Sequence, residues 1–199
     1  MSPSRLDRRA FIQCSATAAV SLSFAACAVE SNPYRFFTTS EAHLLETVCN
    51  QIIPADEDPG AAWAGAVQYI DTQLMGFFQT QQSLYRQGLV GVEETSLALF
   101  GASPTTSSGS RFLELPFEQQ TEVMVALEKN NAPGETWKRV SSSQFFWMVI
   151  EHTMQGFYGS PRHGGNREGA SFRMLKIPHP PVRGRHVYDI RTALSDTTS

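Results

Sequence analysis

The stretch Ser141-Ser-Ser-Gln-Phe-Phe-Trp-Met-Val-Ile-Glu-His-Thr-Met-Gln-Gly-Phe157 is the most apolar in the chain. Phe145, Phe146, Val149, Ile150, Thr153 and Phe157 recur at helical spacing within it. That period predicts a helix that buries a broad face. Working back from it, Phe112 and Leu115 precede Pro116, which suits the first turn of a helix, and Val123, Met124 and Leu127 give that helix a buried side. Asn130 to Gly134 ends it. Gln79 to Phe100 keeps a helical bias through Leu84, Tyr85, Leu89 and Leu97, with a break expected near Gly88–Gly91. Ala61 to Phe78 reads as a helix with Ala66, Ile70, Leu74 and Phe77 on one side and Val67 close by.

Further towards the start, Thr38 and Glu41 have the spacing of a capping box. Leu45, Val48, Cys49, Ile52 and Ile53 follow at helical spacing, and Pro54 stops that helix. Gly101 to Gly109, dense in Ser, Thr and Pro, is expected as a flexible loop. No sustained period-two pattern occurs, so strands are not expected. The reading is all-α: a compact bundle of four to six helices with an irregular Gly/Pro-rich C-terminal wrap. The expected organisation is an export signal over 1–28, a linker over 29–40 that contains the aromatic trio Tyr34, Phe36 and Phe37, a helical domain over 41–160, and an irregular basic segment over 161–199.

The chain has 199 residues, 41% hydrophobic and 18% charged, with a formal charge of −3. This length suits one domain, and 13 Phe, 3 Trp and 5 Tyr can fill its core. The net negative charge argues against a nucleic-acid binder. No apolar run reaches the ~20 residues that span a bilayer, and three cysteines are too few for a disulfide scaffold.

The first residues are an address rather than part of the fold. Arg8 and Arg9 precede Phe11 and Ile12, and a mild Ala/Ser-rich apolar stretch follows from Ala16 to Ala26. Charge, length and small-residue end match a signal peptide, and the arginine pair looks like a twin-arginine export signal. The alternative is a basic first helix of the mature domain. Two endings fit: cleavage after Ala28 at Ala26-Cys27-Ala28, or a lipobox at Phe24-Ala25-Ala26-Cys27 that leaves Cys27 lipidated. Without residues 1–27 the charge is −5; residues 28–161 hold 6 basic and 15 acidic residues, residues 162–199 hold 7 and 3. An acidic body with a basic tail suggests that the tail folds back or meets a partner, the alternative being a solvated C-terminus.

Catalytic constellations are mostly missing from the sequence: there is no Gly-rich dinucleotide fingerprint, phosphate loop, CxxC, HExxH or GxSxG. Among His43, His152, His163, His179 and His186, no pair has the helical spacing of metal ligands. His152, beside Glu151, reads as a polar residue at a helix edge, with a general base as the sharper alternative. His163 lies in a loop where it could contact a ligand. Asp56-Glu57-Asp58 reads as an acidic collar for the next helix rather than a cation site. Cys49 falls on an apolar stripe and is expected to be buried; as a leftover cysteine in an oxidising compartment, it could instead pair with another chain. The distinctive stretch is Gly156 to Asn166, with Pro161, Gly164, Gly165 and Asn166 requiring an unusual backbone path. It reads as a structural wrap in preference to a ligand site.

These pieces, in order, resemble a known family. They are the arginine signal, Phe37-Thr38, Ile52-Ile53-Pro54-Ala55-Asp56, Gly65 to Asp71, Glu151 to Tyr158, Pro161 to Asn166 and Met174 to Pro178. The pattern, over roughly residues 8 to 182, is similar to gluconate 2-dehydrogenase subunit 3, the small subunit of membrane-bound FAD-dependent sugar and sugar-acid dehydrogenases. Phe172 departs from it, since the family often has Trp there. The resemblance implies no catalytic, flavin or metal residues in this chain. It implies a large FAD-containing catalytic partner without its own signal, a cytochrome c subunit carrying haem c, and joint passage through the twin-arginine translocase into the periplasm. The rival expectations are a self-sufficient periplasmic oxidoreductase using the Gly-rich turn with His152 and His163, and a lipoprotein scaffold anchored through Cys27.

Overall fold

A computed structural model describes residues 32–101 and 109–177. Arg8, Arg9, Phe11, Ile12 and Cys27, most of the Ser/Thr-rich loop, and the tail from Pro178 onward lie outside the described residues. The described residues form helices and turns, with no strand among them, so the fold is all-α.

Helix α1 spans Thr39–Ile52. Its capping box is formed: the Glu41 amide donates to the Thr38 hydroxyl at 3.3 Å, and the Thr38 amide donates to the Glu41 carboxylate at 2.8 Å. The helix stops where Pro54 would have to supply a missing N–H. Helix α2 is shorter than the periodicity predicts, Ala66–Leu74. Residues 61–65 are turns instead, ending on Gly65 at φ 81°, a left-handed conformation that glycine adopts at little cost. The acidic run therefore does not collar a helix. It closes on itself, with the Asp58 amide donating to Asp56 Oδ1 at 2.9 Å. Because α2 ends at Leu74 and the Phe78 amide turns back onto Gln73 O, the helical phase is reset. Phe78 takes the core position expected for Phe77, which is 87% exposed.

Helix α3, Gln82–Phe100, runs unbroken through Gly88 and Gly91, contrary to the expected break. The glycines are there for close approach. A Cβ on Gly88 would lie 2.1 Å from the Phe145 ring, and one on Gly91 would lie 2.3 Å from the Trp137 ring. Leu97, expected on the buried side, is 40% exposed. A single turn α4, Arg111–Glu114, leads to Pro116 at the N-cap of α5, Phe117–Glu128. Helix α6, Ser142–Tyr158, starts on the Ser141 hydroxyl, which accepts from the Gln144 amide, and α7 is Ala170–Met174.

Helix α6 is the hub, packed against α1, α2, α3, α5 and α7. It runs antiparallel to α2, because Ala66 meets Gly156, Tyr69 bonds Gln155, and Phe78 stacks on His152. Leu45, Val48, Ile70, Leu74, Leu127, Phe145, Val149 and Phe157 are essentially fully buried around it. Each such side chain contributes about 1.5–3 kcal/mol by leaving water, which is why the most apolar helix sits in the middle.

Candidate functional site

The Gly-rich turn begins where α6 ends. Pro161–His163 makes a short 3-10 turn, Gly164 reverses the chain at φ 99°, and Asn166 sits left-handed at φ 45°. Asn is one of the few side-chain-bearing residues that tolerate this conformation. Asn166 is fully buried and its polar groups are engaged: its amide donates to Gly156 O at 2.8 Å, its Nδ2 donates to Gly159 O at 2.8 Å, and its Oδ1 accepts from the Ser171 amide at 3.0 Å. Gly165 presses on the end of α6, where a Cβ would lie 2.1 Å from Gly156 O. The next residue, Arg167, donates its amide to Ala64 O at 2.9 Å, tying the turn to the start of α2. Gly156, Gly164, Gly165 and Asn166 thus form one knot joining the end of α6 to the starts of α2 and α7. Pro161 opens that knot, and Arg162 and His163 point into solvent. The polar groups of Asn166 face inward, where they fix the path of the chain.

His152 is not at a helix edge. It is 2% exposed, sandwiched face to face on Phe78 at 3.9 Å, with Nδ1 sharing a hydrogen bond of 2.9 Å with the Tyr85 hydroxyl. The reason is the hub position of α6, which leaves little of its circumference to solvent. Burial pushes the imidazole down to about 4 and the Tyr85 phenol well up, so both are neutral near pH 7. Glu151, the neighbour that suggested a general base, faces the other way and accepts from Gln155 at 3.0 Å. The fold does not bring His152 and His163 to one surface. Cys49 is fully buried, as its stripe predicts, with Sγ 3.3 Å from the Thr153 hydroxyl, and burial pushes its thiol up to about 12. A bond to another chain is closed to it in the folded state.

Among the described residues, no three His, Cys, Asp or Glu side chains cluster as a metal site would require. A surface cleft of about 490 Å³ beside the start of α6 is lined by Asn130, Trp137, Lys138, Arg139 and backbone-rich turns, with no acid, histidine or cysteine among its walls. Large apolar side chains instead stand out from the body. Trp147, Met154 and Tyr158 follow one another along the outer side of α6, 55%, 43% and 37% exposed. No helix among the described residues is long and apolar enough to cross a membrane.

Sequence reasoning assigned no role to a further polar centre. Asp71 on α2, 4% exposed, accepts three successive backbone amides: Arg35 at 2.8 Å, Phe36 at 2.9 Å and Phe37 at 3.0 Å. Arg86 on α3 bonds both Glu41 and Phe36 O, and its guanidinium lies 4.3 Å from the Phe36 ring. Burial raises the Glu41 carboxyl, but the Arg86 and Thr38 donors outweigh it and hold it below the usual carboxylate range. An aspartate at the face of a helix next to an aromatic-rich segment was the available signal, although its three partners lie 34 to 36 residues away.

No curated protein and no solved structure matches the chain. A family profile does, over residues 39–178, from the capped start of α1 to just past the described C-terminal turn. That match covers more than half of the chain, and the chain belongs to the gluconate 2-dehydrogenase subunit 3 family.

Proposed function

We propose that this chain is the non-catalytic small subunit of a periplasmic FAD-dependent dehydrogenase, and that it carries the folded catalytic subunit through the twin-arginine route and stabilises it. The family match over residues 39–178 carries this reading. Two features support it: the buried, neutral state of His152 and Cys49, and the exposed aromatic and Met side chains on α6, the kind of surface a partner subunit covers. In this reading Arg8, Arg9, Phe11 and Ile12 form the export signal. FAD belongs to the large subunit and haem c to a cytochrome subunit. The protein is held at the membrane through its complex, and the signal ends either by cleavage after Ala28 or by lipidation at Cys27. The oxidised substrate is gluconate, glucose or another polyol.

A flavoprotein gene without its own signal is expected beside this one, and the test is co-expression with that flavoprotein, comparing the unaltered chain with one carrying Arg8→Lys and Arg9→Lys. Periplasmic flavoprotein is expected only with the unaltered signal. Flavoprotein that still reaches the periplasm with the altered signal overturns the escort role. Oxidation of a sugar acid by the purified single chain would favour the self-sufficient enzyme instead. Incorporation of labelled fatty acid at Cys27 reads which ending is used.

A further inference from the structure

The segment ahead of α1 is bound to the bundle in an unusual way. Three consecutive amides, those of Arg35, Phe36 and Phe37, converge on one carboxylate, Asp71 in the middle of α2. Consecutive N–H groups form a concave anion site. Here its occupant is a side chain of the same protein. The opposite edge of the segment is held from α3, where Arg86 bonds Phe36 O and covers the Phe36 ring. Phe37 inserts into the core, edge-on to Tyr85 of α3 at 5.7 Å. Tyr34 donates to Glu46 of α1 at 2.8 Å and accepts from Gln68 of α2 at 3.0 Å, while Asn32 Nδ2 donates back to Phe37 O at 2.7 Å.

We propose that residues 32–37 are a latch, closed by Asp71 and Arg86, whose closure requires α1, α2 and α3 to be assembled, so that protection of these residues reports on assembly of the bundle. The holding groups come from three successive helices, 12 to 50 residues along the chain from the groups they hold. No single helix offers enough of them to offset the entropy of ordering the segment. Asp71 reaches the amides only when α2 lies against α1, which follows the segment directly, and Arg86 reaches both Glu41 and Phe36 O only when α3 lies beside α1. The latch differs from the core beneath it. Asn32, Pro33 and Arg35 are exposed, and most of its bonds sit near solvent, so it opens locally before the bundle does. The Arg35–Phe36 peptide is a trypsin site whose flanking amides are both committed to Asp71. This inference stands apart from the escort reading and does not need a partner.

The test uses the full chain. Hydrogen exchange at Arg35, Phe36 and Phe37 is expected to be at least roughly tenfold slower than in unstructured peptide, yet roughly tenfold or more faster than at the centre of α6. Exchange at the free-peptide rate overturns the latch, because the segment would then be open. Exchange as slow as α6 also overturns it, because the segment would then be core. In Asp71→Asn, the amide nitrogen cannot accept from a backbone N–H. Trypsin cleavage after Arg35 should quicken roughly tenfold while α6 keeps its protection. Cleavage no faster than in the unaltered chain overturns the role of Asp71. Arg86→Gln, on the other edge, should quicken the same cut, and an unchanged rate there would remove α3 from the latch and overturn its dependence on three helices.

Discussion

At the scale of single residues, His152 sets the clearest expectation. Its folded-state pKa lies near 4, below the 6.5 of an exposed imidazole, because charging it would place a cation between Phe78 and Tyr85. The unfolded chain therefore binds more protons between those values, so stability is full above about pH 6.5 and falls as pH drops towards 4. The loss reaches up to about 3 kcal/mol by the lower end. Thermal melts across this window should show it, and His152→Asn, which keeps an acceptor for Tyr85, should flatten the slope while lowering the melting temperature at neutral pH. An unchanged slope in the variant would place the acid sensitivity elsewhere. Glu41 acts in the same direction at lower pH, since its folded pKa is depressed and its contribution disappears as it protonates. The contrast between these two residues shows what was legible. Thr38 and Glu41 are three residues apart, and their capping box is formed as the sequence predicts. His152 was misplaced because periodicity tells which residues share a face, while the number of neighbours around a helix depends on segments far away in the chain.

At the scale of elements, the glycines of α3 give a sharp case. Glycine in a helix normally costs about 1 kcal/mol relative to alanine, and that cost is why a break was expected at Gly88–Gly91. The interhelical packing reverses the sign. In Gly88→Ala or Gly91→Ala, the new methyl would overlap the Phe145 or Trp137 ring. Overpacking of this kind costs about 1–3 kcal/mol or more, outweighing the propensity gain. Each variant should melt several degrees lower, and a variant that melts higher would mean the rings have room to move. The same reasoning shows why α2 came out short. Ala61 to Phe78 carries apolar residues at a helical period, but Gly65 adopts a left-handed conformation, and a Cβ there would lie 3.3 Å from Gly164 O of the C-terminal turn. Helix existence was readable here, and the boundaries were set by what packs against the ends.

At the scale of the whole molecule, the buried Cys49 thiol reports on cooperative unfolding. Cys49 is shut inside by α1 and α6, and at pH 8 a pKa near 12 leaves only roughly one thiolate in ten thousand. A thiol reagent should leave Cys49 unmodified in the native chain and label it in denaturant, read by mass spectrometry at that peptide. Rapid native labelling would mean that α1 separates from α6 under native conditions. The sequence by itself determined the all-helical class, the capped start of α1, its stop before Pro54, the burial of Cys49, the apolar hub at 141–157 and the family, because each rests on local chemistry or on an ordered pattern along the chain. Only the tertiary structure decided that His152 is enclosed, that α3 passes unbroken through its glycines, that Phe78 and not Phe77 enters the core, and that Asp71 holds the residues ahead of α1. Each of these depends on which groups meet across tens of residues, and on how little space the meeting leaves, which no spacing along one segment records.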